Sequence, residues 1–284
     1  MSTTRLIVQH PTLAESVVSA LSADLGAVPA RRSAALAVWS LSASAAPDRA
    51  WVSDRAARYG VDAVVQPMAR LADYRLIAFD MDSTVITIEC IDEIAEFAGC
   101  KPAVAAITAA AMRGEIADYE DSLRRRVALL AGLSESVLAR VYEERLGLTP
   151  GVETLLTHTR RQGLQSLLVS GGFTYFTDRL KTRLGFDHSR SNQLETDAQG
   201  RLTGRLTGPI VGPQAKREIV AATCAAIGCD PMQAIVVGDG ANDLLMMGIA
   251  GMSVAFHAKP VVQAAATHAV NHGGLDSIVN FFEG

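Results

Sequence analysis

Hydrophobic and polar positions follow two regimes along this chain. In the first, short apolar runs are separated by helical periods. Leu6-Ile7-Val8 predicts a short strand, Leu13 to Leu25 a helix, and Ala34 to Leu41 a second strand. Pro47 predicts the opening of another helix, at a first-turn position where a missing N–H is tolerated. Val61-Asp62-Ala63-Val64-Val65 predicts a third strand. Strand, helix, strand, helix, strand within residues 1–73 fits a small α/β sandwich of the ferredoxin-like kind.

From residue 74 the pattern changes. Arg75-Leu76-Ile77-Ala78-Phe79 ends in Asp80, Gln165-Ser166-Leu167-Leu168-Val169 ends in Ser170-Gly171-Gly172, and Ala234-Ile235-Val236-Val237 ends in Gly238-Asp239-Gly240. Apolar runs without alternation predict strands buried on both faces, as in a parallel sheet between helix layers. Each run stops at a polar, glycine-rich turn. Ligands of open α/β sheets bind beyond the carboxyl ends of the strands, so three distant segments can converge on one sheet edge. Residues 88–150 interrupt the alternation with helices over Ile91 to Phe97, Lys101 to Met112, Tyr119 to Leu130 and Ser134 to Arg145. A helical insertion there would stand above that edge as a cap. Asp197-Ala198-Gln199-Gly200, within residues 194–212, predicts a hairpin.

Composition narrows the function classes. The chain has 284 residues, about two domains' worth, with 49% hydrophobic and 20% charged residues. That balance supports a sizeable core and excludes a disordered chain. A formal net charge of −4, no long Lys/Arg run and 5% aromatics speak against nucleic acid and anionic membranes as partners. Nothing approaches the roughly 18 apolar residues of a membrane span, and the apolar run near Met1 is too short for a signal peptide. Cys90, Cys100, Cys224 and Cys229 form no Cys-x-x-Cys pair. They read as reduced, mostly buried thiols of a cytoplasmic protein.

Four segments carry candidate chemistry. In Asp80-Met81-Asp82-Ser83-Thr84, two carboxylates two positions apart at a strand end can divide a reaction. One attacks while the other holds or moves a proton; an Asx turn or helix cap is the competing reading. Gly238-Asp239-Gly240-Ala241-Asn242-Asp243 puts two carboxylates and an amide on a second strand end, or simply a glycine turn with Asp243 capping a helix. Ser170-Gly171-Gly172 offers a hydroxyl and backbone that a phosphate can approach closely, although serine–glycine turns are common. Lys216 follows Gly212-Pro213 near a helix start, and a lone lysine is ordinarily a solvated charge.

In this order, the Asp80 motif, Ser170, Lys216 and the Asp239 motif resemble the four signature motifs of the haloacid-dehalogenase-type phosphatases. Within them the likeness is nearest to the phosphoserine phosphatase family, and it covers about residues 74–284. It extends to Glu89, to Ser122-Leu123-Arg124-Arg125-Arg126-Val127 and to Phe256-His257-Ala258-Lys259-Pro260. The resemblance implies a three-layer Rossmann-like core with parallel strands and a helical cap after the first core strand. Residues 1–73 resemble the small regulatory (ACT-like) domain that precedes some bacterial members, which would regulate or dimerise the protein.

The resemblance makes Asp80 the nucleophile, forming an aspartyl-phosphate, and Asp82 the acid that becomes a base. Attack by an anion on a dianionic phosphate needs cations, and the ligands on offer are oxygens. Mg²⁺ is therefore the expected cofactor, held by Asp80, Asp239 and the backbone carbonyl of Asp82. Ser170, Gly171, Lys216 and Asn242 would bind substrate, with Asp243 supporting the metal from behind. Glu89 would take the ammonium, and Arg126 the carboxylate, of O-phospho-L-serine; the implied reaction is the last step of serine biosynthesis. On the helical wheel Leu123, Val127 and Leu130 share a face with Arg126 at its edge, while Arg124 and Arg125 point elsewhere. Another small phosphomonoester as substrate, or a non-enzymatic regulator, remain as alternatives. The chain departs from the family between Met112 and Tyr119, where it carries one extra residue near Ala117 and Tyr in place of the usual Phe.

Overall fold

The computed structural model describes residues 3–112, 115–116 and 118–282. Arg113, Gly114 and Ala117, where the departure was expected, lie outside the described residues, as does the Met112 side chain.

The chain opens with β1 (Thr3–Gln9), α1 (Glu15–Leu25), β2 (Arg31–Arg32), β3 (Leu36–Ser42), α2 (Arg49–Tyr59) and β4 (Asp62–Pro67). These strands form an antiparallel sheet in the order β2-β3-β1-β4. Two details differ from the sequence reading. β2, two exposed arginines, has no apolar pattern to betray it. Pro47 does not open α2; Asp48 is the N-cap, its Oδ1 accepting from Trp51 N at 2.8 Å, so the proline precedes the cap. An aspartate satisfies an orphan helix N–H, which proline cannot do. One face of the sheet (Leu6, Val8, Ala37, Trp39, Leu41) packs with Val18, Leu21 and Val52 of the two helices. The opposite face (Ile7, Leu36, Val38, Val64) belongs to the main core, together with Phe281 and Phe282.

The second sheet begins with β5 (Leu76–Phe79). Four helices follow: α3 (Cys90–Phe97), α4 (Lys101–Met112), α5 (Tyr119–Ala128) and α6 (Ser136–Glu144). The alternation then resumes with α7 (Val152–Arg161), β6 (Gln165–Phe173), α8 (Thr174–Leu184), β7 (His188–Thr196) and β8 (Leu202–Thr207). It closes with α9 (Pro213–Ala226), β9 (Ala234–Gly238), α10 (Leu244–Met247), β10 (Met252–Phe256), α11 (Pro260–Ala265) and β11 (His268–Val270). Strand order is β11-β10-β9-β5-β6-β7-β8, parallel except for β8 at one edge. Ile77 and Phe79 face a core shared with α7 and α8, while Leu76 and Ala78 face one shared with α9, α10 and α11. Three layers result, as the uniformly apolar strands require.

β6 runs on through Ser170-Gly171-Gly172 to Phe173 rather than ending at Val169, with a shift of register against β7. The glycines are thus an irregular stretch of strand and not a turn. The β7–β8 hairpin props the insertion: Gly132 N donates to Leu202 O and Leu202 N to Leu133 O, each at 2.8 Å. The chain leaves β5 toward β6 on one side and returns to β9 on the other, so their carboxyl ends flank the point where strand order reverses. Ligand sites of open α/β sheets form at that point.

Candidate functional site

Phe79 pairs with Val237 of β9 and Leu168 of β6, so Asp80 emerges between two neighbours, its N–H donating to Val237 O at 3.0 Å. The next residues make one wide turn, Met81–Val85, closed by Ile86 N donating to Met81 O at 3.0 Å. Ser83 adopts φ 55° in this turn, a left-handed conformation that serine rarely takes. The turn brings the Asp82 carboxylate across to β6. A Cβ added to Gly172 would lie 2.8 Å from Asp82 Oδ2 and 3.1 Å from Ser170 Oγ. Only a residue without a side chain lets both groups, and the Met81 methyl, approach the strand this closely. Asp82 Oδ1 accepts from Cys90 N, at the start of α3, at 3.2 Å.

Asp80, Asp239 and Asp243 each offer an oxygen within 4.8 Å of the others. Lys216, in the first turn of α9, sends Nζ to Asp80 Oδ2 and to Asp243 Oδ1, both at 2.8 Å. The ammonium is 0% exposed, against the solvated lysine that its lone position suggested. Asp243 Oδ2 accepts from Gly240 N at 3.2 Å, and Thr84 Oγ1 donates to Asp239 Oδ1 at 3.1 Å. Two carboxylates therefore share one ammonium, and the third, Asp239, lies within 4.8 Å of both with the Thr84 hydroxyl as its partner. Burial, reinforced by the charges of Asp80 and Asp243, pushes the Asp239 carboxyl up to about 7. Burial, with Glu89 and Asp80 nearby, also holds the Asp82 carboxyl well above its ordinary range. Burial alone would lower the pKa of Lys216, but Asp243 and Asp80 more than offset it, and the ammonium stays charged. An all-oxygen donor set with surplus negative charge fits a hard divalent cation, which would relieve that repulsion.

The other expected residues lie around this cluster. Glu89 opens to solvent at the mouth of the site and accepts from Ser83 Oγ at 2.7 Å. Protein crowding the inner side of its carboxylate raises its pKa, while the Ser83 hydrogen bond and the Arg126 charge pull the other way. Solvent at the outer side screens much of that shift. Arg126 is half-buried beside Leu123 and Val127; Arg124 and Arg125 instead pair with Glu120 and Asp121 one turn back. Gly171 O accepts from Asn192 Nδ2 at 2.8 Å, and Asn192 Oδ1 accepts from Val211 N at 2.7 Å. That clamp fixes the Ser170 strand against the segment leading to α9; nothing in the local sequence around Asn192 signals it. Asn242 folds its carboxamide back over Gly240, and among the described residues no hydrogen bond joins it to Asp80, Ser170 or Lys216. Tyr119, the residue standing at the family's Phe position in the insertion, lies with its ring over Gly212 and its hydroxyl over Gly171. All four cysteines are free thiols, two buried and two half-buried. Among the described residues no helix is long and apolar enough to cross a membrane.

Comparison with known proteins agrees with this geometry. A family model described as haloacid dehalogenase-like hydrolase matches residues 77–248. A phosphoserine phosphatase of Polaromonas sp. is 56% identical over 219 residues, which is 76% of this chain and 93% of that protein. The crystal structure of a probable phosphoserine phosphatase from Vibrio cholerae, unliganded, matches with a TM-score of 0.82 at 34% identity, over 98% of this chain and 85% of that one. A phosphoserine phosphatase solved as a phospho-aspartyl intermediate analogue matches with a TM-score of 0.69 at 35% identity, over 74% of this chain and 99% of that one. The chain belongs to the haloacid dehalogenase-like hydrolases and, within that family, to the phosphoserine phosphatases.

Proposed function

We propose that this enzyme hydrolyses O-phospho-L-serine to L-serine and phosphate through a phosphorylated Asp80. The observation that carries the reading is the cluster of Asp80, Asp239 and Asp243, two of them paired with the buried Lys216 Nζ, with Ser170 Oγ and the Asp82 carboxylate both close to Gly172 beside it. A carboxylate oxygen of Asp80 bonds to phosphorus as the bond from phosphorus to the seryl oxygen breaks. Asp82 gives its proton to that departing oxygen. A water then attacks phosphorus, Asp82 takes the water's proton, and phosphate leaves with Asp80 restored. The solved phospho-aspartyl analogue of a relative supports the covalent route.

Ser170, Gly171 and Lys216 bind the phosphoryl oxygens, and Asn242 helps hold substrate. Asp80, Asp239 and the carbonyl of Asp82 hold Mg²⁺, which when bound neutralises charge on the phosphoryl group. Asp243 supports the metal from behind, holding Lys216 Nζ with one oxygen and Gly240 N with the other. Glu89 and Arg126, from the insertion, take the ammonium and carboxylate of the serine. Residues 74–284 form the catalytic part, with about 88–150 as cap; residues 1–73 regulate or dimerise it. The enzyme acts in the cytoplasm, on a small molecule, at the last step of L-serine biosynthesis, without nucleic acid or membrane as partner.

A phosphate-release screen over small phosphomonoesters, with MgCl₂ and with EDTA, tests this. Phosphoserine should lead by kcat/KM, and EDTA should stop release. Equal rates across esters would remove the substrate assignment, and full activity in EDTA would remove the cation.

A further inference from the structure

Tyr119 is the first residue of α5, where Asp118 caps the helix by accepting from Glu120 N at 3.1 Å. Its side chain leaves the insertion and enters the catalytic edge. A Cβ on Gly212 would lie 3.0 Å from Tyr119 Cδ1, so the ring rests on the backbone that leads into α9 and Lys216. A Cβ on Gly171 would collide with the Tyr119 hydroxyl oxygen, so that oxygen sits directly over the Ser170–Gly172 strand. The hydroxyl feels Lys216 and Arg126 on one hand and Asp80 and Asp82 on the other, and burial raises its pKa, so it stays a neutral O–H donor. Among the described residues it has no hydrogen-bond partner. Tyr119 is half-buried rather than sealed, so its hydroxyl is a donor left for a ligand at this edge.

Ser170, Gly171 and Lys216 are the groups that bind the phosphoryl oxygens in the function proposed above, and this inference rests on that reading. We propose that the Tyr119 hydroxyl donates a hydrogen bond to a phosphoryl oxygen of the substrate, giving the cap its own contact with the reacting group. Arg126 and Glu89 would then be the insertion's contacts with the head group, and Tyr119 its contact with the phosphate. One hydrogen bond to a charged oxygen is worth a factor of about ten or more.

Tyr119→Phe removes the oxygen and keeps the ring on Gly212. Inorganic phosphate is titrated calorimetrically into both proteins in MgCl₂, L-serine is measured as a product inhibitor, and kcat and KM are measured with phosphoserine. The phosphate Kd and the KM for phosphoserine should each rise about tenfold, with the serine inhibition constant moving less than twofold. An unchanged phosphate Kd overturns the proposal, and so does a shift confined to serine, which would put the hydroxyl on the head group. Equal thermal midpoints for the two proteins exclude a merely structural loss. Wild-type protein that binds phosphate but leaves phosphoserine intact would remove the substrate reading alone, since the phosphate titration still decides the hydroxyl's role.

Discussion

Two clusters of buried polar groups differ in how their charge balances. At the seam between β4 and β11, Gln66, Asp62 and His268 are buried. Gln66 Nε2 donates to Phe281 O and its Oε1 meets His268 Nε2, while Asp62 accepts the N–H groups of Asn271 at 2.7 Å and His272 at 3.1 Å. Arg49 closes the seam by donating to Ala266 O at 2.7 Å. Beyond β5 and β9, by contrast, Asp80 and Asp243 share the Lys216 ammonium while Asp239 stands within 4.8 Å of both without a cation among the described residues. The seam assigns its acid and its base to partners within the fold and joins two sheets. The strand-end cluster keeps negative charge that the fold does not neutralise, and a cation with a phosphoryl group would use it. Buried polarity alone marks a joint; buried charge left over marks chemistry.

Replacing Lys216 should have the largest effect, because it unbalances the already strained cluster further. Lys216→Met should lower kcat/KM by about three orders of magnitude and cost about 3 kcal/mol of stability in urea titration without added metal. A variant as active and as stable as the parent would make this cluster no different from the seam. Glu89→Gln and Arg126→Ala should each lower kcat/KM for phosphoserine about a hundredfold, while a phosphomonoester without an amino-acid head changes less than threefold. Equal losses on both substrates would place these residues in general support of the cap.

At the seam the effect is smaller and depends on pH. Burial first, then the Arg49 charge, lowers His268 to about 4, against an ordinary 6.5. Between those values the unfolded chain binds a proton that the folded chain refuses, so stability rises with pH through that window and levels off above it. At pH 5.5 His268 should cost about 1 kcal/mol relative to pH 8. His268→Gln should remove that part of the slope in urea titrations run at both pH values. An identical slope in the variant would mean the seam tolerates a charged histidine.

Much of the catalytic edge was legible because its signals are local. Asp80, Ser170 and Asp239 each follow an apolar run, and a strand buried on both faces must end where its polar successor reaches solvent or a ligand. The wheel position of Arg126 likewise separated it from Arg124 and Arg125, whose partners lie one turn away. What was hidden depends on distant parts of the chain. Lys216 is buried only because Asp80 and Asp243 come from other strand ends. Asn192 clamps Gly171 and Val211 from β7, and Tyr119 reaches Gly171 only once the insertion folds over the edge. β2 exists because β3 offers it hydrogen bonds, and Asp48 rather than Pro47 starts α2 because its carboxylate meets an N–H three residues on. The second apolar face of the first sheet read as part of a separate unit, whereas it packs into the main core with Phe281 and Phe282.

The central claim is that Asp80 receives the phosphoryl group, and acid-quenching a reaction with phosphorus-labelled phosphoserine tests it most directly. The account predicts label on the peptide holding Asp80, lost on treatment with hydroxylamine and absent from Asp80→Asn, which should turn over at least about a thousandfold more slowly. Undiminished turnover in Asp80→Asn, or label retained on another residue in the parent, would contradict it.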